Sequence, residues 1–188
     1  MTGRSAAAVP VQPRAAPATV DGTVAFTDLV GFTEFTATQS DEEAVALLAA
    51  QEHIVQALLG PGARIVKELG DGLMLWFAAA ADAVRTCLRL QDEFEEAASI
   101  AGAPLGLRIG LHTGRQVRRR DDLVGHDVNV AARVAAVAGA GEVLASAATV
   151  GSAGAVPGVT FEELGPVMMK GIPDPVELFL AARSPFPA

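Results

Sequence analysis

The spacing of apolar residues changes several times along the chain between a period of two, typical of strands, and a period of three to four, typical of helices. Short apolar runs bounded by turn residues predict strands over residues 23–28, 64–69, 73–77, 105–113, 142–145, 159–164 and 176–181. Longer amphipathic segments predict helices over residues 41–59, 79–98 and 128–138. A further helix is predicted to begin near Thr33 and Glu34. Strands and helices interleave, which indicates a domain of mixed α and β structure.

Two local signals support these elements. Ser40 followed by Glu43 is a capping-box pattern, which predicts that Ser40 is the N-cap of the helix over residues 41–59. Asp71 and Gly72 lie between two apolar runs, a pattern typical of a β-hairpin turn. A hairpin excludes a purely parallel sheet. The order strand, helix, hairpin, helix, strand therefore predicts an α+β fold, a ferredoxin-like sandwich with a βαββαβ core.

Composition narrows the class of protein. The chain has 188 residues, 51% of them hydrophobic, which is enough for one domain with a sizeable core. Its net charge of −8 argues against a nucleic-acid-binding protein, which usually carries a basic face. Nucleotide binding stays open, because a metal ion can supply the positive charge. The single cysteine, Cys87, excludes an internal disulfide and lies in an apolar helical pattern, so it is expected in the core.

The two ends of the chain differ from its middle. Residues 1–19 are rich in Ala and Pro and lack the continuous apolar stretch of a signal peptide, so a disordered tail is predicted there. Residues 20–183 are predicted to form the folded domain, and residues 184–188 a short C-terminal tail. No apolar stretch is long enough to cross a membrane, and a cytoplasmic location is expected.

The segment "VAFTDLVGFTEF", residues 24–35, carries the first candidate chemistry. An apolar strand ends in Asp28, a turn with one glycine follows, and a helix begins. A carboxylate binds a cation and the N–H groups of a helix start bind an anion, so the two together suit a metal–phosphate ligand. In a ferredoxin-like sheet the first strand lies beside the hairpin, where Asp71 would join Asp28 as a magnesium ligand. The alternative for Asp71 is turn chemistry alone.

Other polar residues allow both a functional and a structural interpretation. Asn129 and Arg133 are one helical turn apart in an otherwise small and apolar helix, which suggests a site, although an exposed stripe is the simpler alternative. Lys67 lies in an otherwise apolar strand, where solvent exposure is the simple interpretation and the alternation does not settle which face it occupies. Arg115, after a strand, allows phosphate binding or the start of a basic surface loop. The three histidines fit no metal motif: His53 is expected at the surface, His112 packed in a strand, and His126 in a loop.

Four segments, taken in order, resemble those of a known enzyme family. They are "FTDLVGFT", "VKELGDG", "DLVGHDVNVAARV" and "MKGI", and they lie on matching elements between residues 23 and 181. In this order they resemble the catalytic domain of class III adenylyl and guanylyl cyclases, of the bacterial adenylyl cyclase type. The resemblance implies that residues 20–183 are a catalytic domain in which an α/β subdomain is added after the ferredoxin-like core.

The resemblance also implies a metal and phosphate site. Two divalent metal ions, Mg²⁺ or Mn²⁺, would bind Asp28, Asp71 and the backbone carbonyl of Leu29. The triphosphate would bind the backbone of the next four residues, Val30, Gly31, Phe32 and Thr33. Arg115 and Lys170 match positions that contact the β- and γ-phosphates.

The remaining matches concern the purine and the reaction. Lys67 and Asp122 match the pair that recognises the purine in adenylyl cyclases, and Asn129 and Arg133 match the two transition-state residues. A lysine donor and an aspartate acceptor suit the adenine edge, whereas guanine reverses both hydrogen-bond polarities. The implied reaction is metal-assisted attack of the ribose 3′-hydroxyl of ATP on the α-phosphorus, giving 3′,5′-cyclic AMP and pyrophosphate.

The resemblance also implies binding partners, and other functions remain as alternatives. The family forms head-to-tail homodimers with two active sites at the interface, so a second copy and ATP are the implied partners, without nucleic acid or a membrane segment. The alternatives are a cyclase-like domain without turnover, a guanylate cyclase, and a diguanylate cyclase. No site residue is missing, which argues against the first, and "LGDGL" does not match the hairpin signature of the last.

Overall fold

The computed structural model describes residues 17–101 and 105–185. Its strands are β1 (Thr19–Val30), β2 (Ala63–Leu69), β3 (Gly72–Phe77), β4 (Gly106–Arg119), β5 (Asp122–Val124), β6 (Val143–Ser146), β7 (Val159–Val167) and β8 (Val176–Arg183). Its helices are α1 (Phe32–Thr38), α2 (Asp41–Leu58), α3 (Ala80–Ala101), α4 (His126–Val137) and α5 (Ala147–Ala153). Most of the predicted tail, residues 1–19, lies outside the described residues, and Thr19 already belongs to β1.

One mixed sheet organises the domain. Its strand order is β2-β3-β1-β4-β6-β8-β7, with β5 paired to β4 alone, and β4 and β6 are the parallel neighbours. The first four strands in this order, with α2 and α3, form the ferredoxin-like βαββαβ core that the sequence predicts. The strands β6, β8 and β7 extend the sheet at one edge. The predicted fold class, with its added C-terminal α/β part, is therefore confirmed.

Helices cover both faces of this sheet. Alternate residues of β1 divide between the faces: Ala25 packs in the cluster shared with α2 and α3, and Val24 packs with Val128 and Ala131 of α4. The helix α4 approaches β4 so closely that a Cβ on Gly110 would lie 2.0 Å from the backbone nitrogen of Ala135. A side chain at position 110 would therefore displace the helix that carries Asn129 and Arg133.

Local predictions hold with a few corrections. Ser40 caps α2: Glu43 N donates to Ser40 Oγ over 3.2 Å, and Ser40 N donates to Glu43 Oε2 over 2.9 Å. Cys87 is fully buried, as expected. The interpretation of His126 as a loop residue is wrong, because α4 begins there. None of the helices in the described part of the chain is long and apolar enough to span a membrane.

The sequence prediction misses β5, α5 and the second half of β4. The strand β4 continues to Arg119 because its second half pairs with the start of β1 and with β5. The helix α5 has only seven residues of mostly small side chains, too few for a periodic pattern. Its N-cap, Ser146, accepts from the backbone nitrogen of Thr149.

Candidate active site

Two carboxylates meet where β1 ends beside the β2–β3 turn. Thr27 and Leu73 are register partners, so Asp28 and Asp71 leave adjacent strands at the same edge. Burial, followed by the charge of Asp28, raises the pKa of the Asp71 carboxyl above its ordinary value. The pair is also close enough for a hydrogen bond between the two side chains to contribute to this shift. The structure therefore brings the two predicted metal ligands together.

Arg108 is the residue of this site that the sequence does not reveal. It is the register partner of Asp28 across the β1–β4 ladder. Its Nε donates to Asp28 Oδ2 over 2.7 Å, and its Nη2 contacts the same oxygen. The only signal in the sequence is an arginine in an apolar strand, and nothing local indicates that it faces Asp28. A guanidinium thus lies beside the carboxylates, where a phosphate could also contact it.

The donor set fits a hard divalent cation. Among the described residues no cluster of three or more His, Cys, Asp or Glu side chains forms a complete metal site. Two adjacent carboxylates and the nearby carbonyl of Leu29 are nevertheless the kind of partial oxygen set that Mg²⁺ completes with water and substrate phosphates. Burial, and then the charge of Asp28, raise the pKa of Asp71, so the charged form of this carboxylate is disfavoured in the absence of a cation. Asp28, Asp71 and Leu29 therefore remain the candidate ligands.

The turn after β1 leads directly into α1. Gly31 is the N-cap of this helix with φ 90°, a left-handed conformation that favours glycine, and no side chain caps the helix. Leu29 is buried and Phe32 packs against the main core cluster, which fixes the backbone on both sides of Gly31. The backbone N–H groups of this turn therefore lie at a fixed place next to Asp28.

The two predicted purine residues are in contact. Lys67 Nζ lies 2.8 Å from Asp122 Oδ2, although 55 residues separate them in sequence. The hydrogen bond from Lys67 lowers the pKa of the Asp122 carboxyl. Its second oxygen, Oδ1, accepts from Leu123 N over 2.7 Å, which fixes its orientation. Both side chains are about one-third exposed, so a ligand can reach the pair.

The helix α4 packs against the turn that contains Lys170. Asn129 and Arg133 are exposed on α4, one turn apart, while Val130 and Val134 on the other side of the helix are buried. These two valines share a cluster with Met169 and Ile172, the residues that flank the turn containing Lys170. Lys170 is therefore held close to α4.

Arg115 lies elsewhere. Its Nε is 2.9 Å from Asp21 Oδ1, and the two side chains are 68% and 71% exposed. Arg115 is seven residues from Arg108 on β4, about 23 Å along an extended strand. The structure does not bring Arg115 to Asp28 and Asp71.

The histidines agree with a structural role. His112 Nδ1 lies 2.8 Å from Ser146 Oγ, and burial lowers the pKa of His112 although Asp127 opposes the shift. This is the packed, hydrogen-bonded histidine that the sequence predicts. His53 is exposed on α2, as predicted.

Comparison with known proteins shows the family. The family model for the adenylate and guanylate cyclase catalytic domain matches residues 16–182. A pH-sensitive adenylate cyclase of Mycobacterium tuberculosis is 34% identical over 164 residues, which are 86% of this chain and 40% of that relative. The chain therefore spans less than half the length of this curated relative.

Solved structures share the fold. The adenylyl cyclase CyaB from P. aeruginosa superposes with a TM-score of 0.79 at 26% identity, covering 89% of this chain and 97% of that chain. The guanylate cyclase domain of RhGC from Catenaria anguillulae, crystallised with GTP, has a TM-score of 0.73 at 21% identity, covering 87% and 96%. The chain belongs to the family of adenylate and guanylate cyclase catalytic domains.

Proposed function

We propose that this domain is an adenylyl cyclase that converts ATP into 3′,5′-cyclic AMP and pyrophosphate. The observation that carries the choice of ATP is the ion pair between Lys67 and Asp122, at 2.8 Å, in a chain that also carries the Asp28–Asp71 pair. The relative from Mycobacterium tuberculosis, an adenylate cyclase by name, supports the same choice.

Asp28, Asp71 and the carbonyl of Leu29 are the proposed ligands of two divalent cations, Mg²⁺ or Mn²⁺. When bound, such ions lower the pKa of a coordinated hydroxyl and neutralise charge on the phosphates. The N–H groups of Val30, Gly31, Phe32 and Thr33 are the proposed donors to the triphosphate, and the rigid turn described above holds them in place.

Arg133 and Asn129 are the proposed catalytic residues. The Arg133 side chain forms no ion pair with any of the described residues, so its charge is available to the negative charge that grows on the α-phosphoryl oxygens. Asn129, one turn earlier, would orient the ribose. Preorganised donors of this kind usually contribute a large part of the stabilisation of a transition state.

We assign the arginine contact to the triphosphate to Arg108 rather than to Arg115, and we keep Lys170, near α4, as the other cationic side chain that contacts the phosphates. Arg108 already lies on the Asp28 carboxylate, whereas Arg115 is paired with Asp21 at the far end of the strand. A cation bound between the carboxylates would compete with the Arg108 guanidinium for Asp28, which favours transfer of Arg108 to the phosphates.

Arg108→Met and Arg115→Met are a matched pair that tests this assignment. Removing a charged donor to the triphosphate should raise the KM for ATP of Arg108→Met by about tenfold or more, whereas Arg115→Met should stay within about twofold of wild type. Steady-state kinetics at saturating metal measure both. If Arg115→Met has the larger defect, the phosphate contact belongs to Arg115.

The preference for ATP rests on hydrogen-bond polarity. Adenine has an acceptor at N1 and a donor at its 6-amino group, which suit Lys67 and Asp122 respectively. Guanine presents the reverse pattern, and each buried mismatch costs about 1–3 kcal/mol. The orientation of Asp122 by Leu123 N makes this recognition more selective, because the carboxylate cannot rotate freely.

Lys67→Glu is therefore expected to lower kcat/KM for ATP by about 100-fold, and the further change Asp122→Asn is expected to raise the use of GTP relative to ATP. Arg89→Glu is the control, because it makes the same change of charge at an exposed position of α3, away from the pair. Chromatography of the products formed from each nucleotide gives both rates. An unchanged ratio of ATP to GTP use in Lys67→Glu and in the double variant would contradict the purine assignment.

The proposed assembly is a head-to-tail homodimer. Lys67 is about 13 Å from Asp71 along an extended strand, so distance alone does not decide whether one chain supplies a whole site. Each chain carries both complementary sets of residues, and a two-fold axis would build two equivalent sites from them. Asp28 and Asp71 would come from one protomer, and Lys67, Asp122 and α4 from the other.

The assay of the wild-type protein decides the function itself. Incubation with ATP or GTP, with Mg²⁺ or Mn²⁺, should give cyclic AMP from ATP as the main product. Cyclic GMP from GTP as the only product would indicate a guanylate cyclase. No product from a folded dimer would indicate a domain without turnover.

A further inference from the structure

A buried amide connects α2 to the strand that carries Asp28. Gln51 is only 2% exposed, and its Nε2 donates to Thr27 Oγ1 over 3.3 Å. Thr27 is 3% exposed and immediately precedes Asp28. The same hydroxyl oxygen accepts from Leu73 N over 3.0 Å, and Leu73 follows Asp71 by two residues. One hydroxyl therefore connects the backbones next to both carboxylates.

Gly72 brings the same two strands into direct contact. A Cβ on Gly72 would lie 2.3 Å from the carbonyl oxygen of Thr27, so any larger residue would push the strands apart. Gly72 is the link between Asp71 and Leu73. The close approach and the hydroxyl bond together set the distance between the Asp28 and Asp71 backbones.

The turn that carries Asp71 has little other support from α2. A cleft of about 280 Å³ lies between α2 and the turn, and Gln51 and Leu73 form part of its lining together with Val45 and Gly70. Leu73 is buried in the core and pairs with β1, so the hydrogen bonds of Thr27 act together with packing and strand pairing to position Asp71.

An amide at position 51 is costly unless it has a specific role. The neighbouring core-facing residues of α2 are apolar, among them Leu48 and Val55. Burial of an amide is unfavourable unless it is hydrogen-bonded, so an apolar side chain would fill the position at lower cost. Gln91 on α3 offers a contrast, because it is buried to a similar degree but its Oε1 has no hydrogen-bond partner among the described residues.

We propose that Gln51 is a positioning residue, which acts through Thr27 to set the spacing of the Asp28 and Asp71 carboxylates and thereby the affinity of the site for divalent cations. The proposal rests on the assignment of these two aspartates as metal ligands. Gln51 itself contacts neither a metal nor the nucleotide, and its effect is confined to the geometry of the carboxylate pair.

The test uses two matched pairs of variants in the full 188-residue chain. Gln51→Met removes the buried donor at nearly constant volume, and Gln91→Met is the control for a buried glutamine away from the site. Thr27→Val removes the hydroxyl, and Thr27→Ser keeps it. The thermal unfolding midpoint is measured against Mn²⁺ concentration, with cyclase activity titrated in parallel.

Loss of a hydrogen bond of ordinary strength should raise the half-saturating Mn²⁺ concentration of Gln51→Met and of Thr27→Val about fivefold in both measurements. Gln91→Met and Thr27→Ser should stay within about twofold of wild type, and all four variants should approach wild-type kcat at saturating Mn²⁺. A general loss of packing would lower the unfolding midpoint equally at all Mn²⁺ concentrations and would leave the half-saturating concentration unchanged.

Equal Mn²⁺ dependence of Thr27→Val and Thr27→Ser would overturn the proposal, even if Gln51→Met did not fold. A shift in Gln91→Met as large as that in Gln51→Met would also overturn it. If the wild-type protein itself shows no Mn²⁺-dependent midpoint and no Mn²⁺-dependent activity, the metal assignment fails and this inference fails with it. The wild-type titration therefore separates the two failures.

Discussion

Asp28→Ala and Asp71→Ala are each expected to lower cyclase activity on the order of a thousandfold, because removal of one carboxylate leaves an incomplete set of ligands for the cations that neutralise the triphosphate. Initial rates of cyclic AMP formation, measured over a range of Mg²⁺ and Mn²⁺ concentrations, give this loss. Asp21→Ala is the matched control, because Asp21 lies on the same strand but pairs with Arg115 at the surface.

Asp28→Ala and the isosteric variant Asp71→Asn should also differ in their unfolding midpoints. Asp28→Ala removes the partner of Arg108 and should lower the unfolding midpoint slightly. Asp71→Asn, a neutral isostere, should leave the midpoint equal or higher, because burial and Asp28 both disfavour the charged form of Asp71 and raise its pKa. Near-normal activity in either folded variant at ordinary metal concentrations would exclude the metal assignment.

The pH dependence of this stability difference has a definite sign. A carboxyl whose pKa is raised in the folded state binds its proton more tightly when folded, so the stability of the wild-type protein falls as the pH rises from the unfolded to the folded pKa of Asp71. Asp71→Asn lacks this titration. The advantage of the variant should therefore be absent in acid, where Asp71 is protonated, and present at neutral pH.

The parts of the site that the sequence predicts are those encoded by local patterns. Asp28 ends an apolar run and Asp71 lies in an Asp-Gly turn, so both are visible from neighbouring residues, and the order of elements then places the two turns side by side. The Lys67–Asp122 contact has no such local signal, and the sequence indicates it only through the family resemblance.

The position of Arg108 and Arg115 relative to the site cannot be predicted from local sequence. Both lie on β4, and both face an aspartate of β1, Asp28 and Asp21 respectively. Which arginine lies at the active-site end depends on the register of β1 with β4, and register follows from the whole sheet rather than from a window of sequence. The buried network of Gln51 is invisible for the same reason, because its partner lies 24 residues away on another element.

Mixing two inactive variants should restore activity if each site is shared between protomers. Asp28→Ala damages the metal half of a site and Arg133→Ala damages the α4 half. In a mixed head-to-tail dimer, one site would contain both defects and the other would contain neither. Random exchange makes about half of the dimers mixed, and half of their sites are intact, so about a quarter of wild-type activity is expected.

A second mixture provides the control for this experiment. Asp28→Ala and Asp71→Ala damage the same half, so every site of their mixed dimer keeps one defect, and no recovery is expected. Exchange of subunits is shown independently with two affinity tags. Recovery in the first mixture and none in the second would establish that two chains build each site. No recovery in either mixture, with exchange shown, would mean that one chain supplies Asp28 and Arg133 to the same site, because each variant would then carry a defect in all of its own sites.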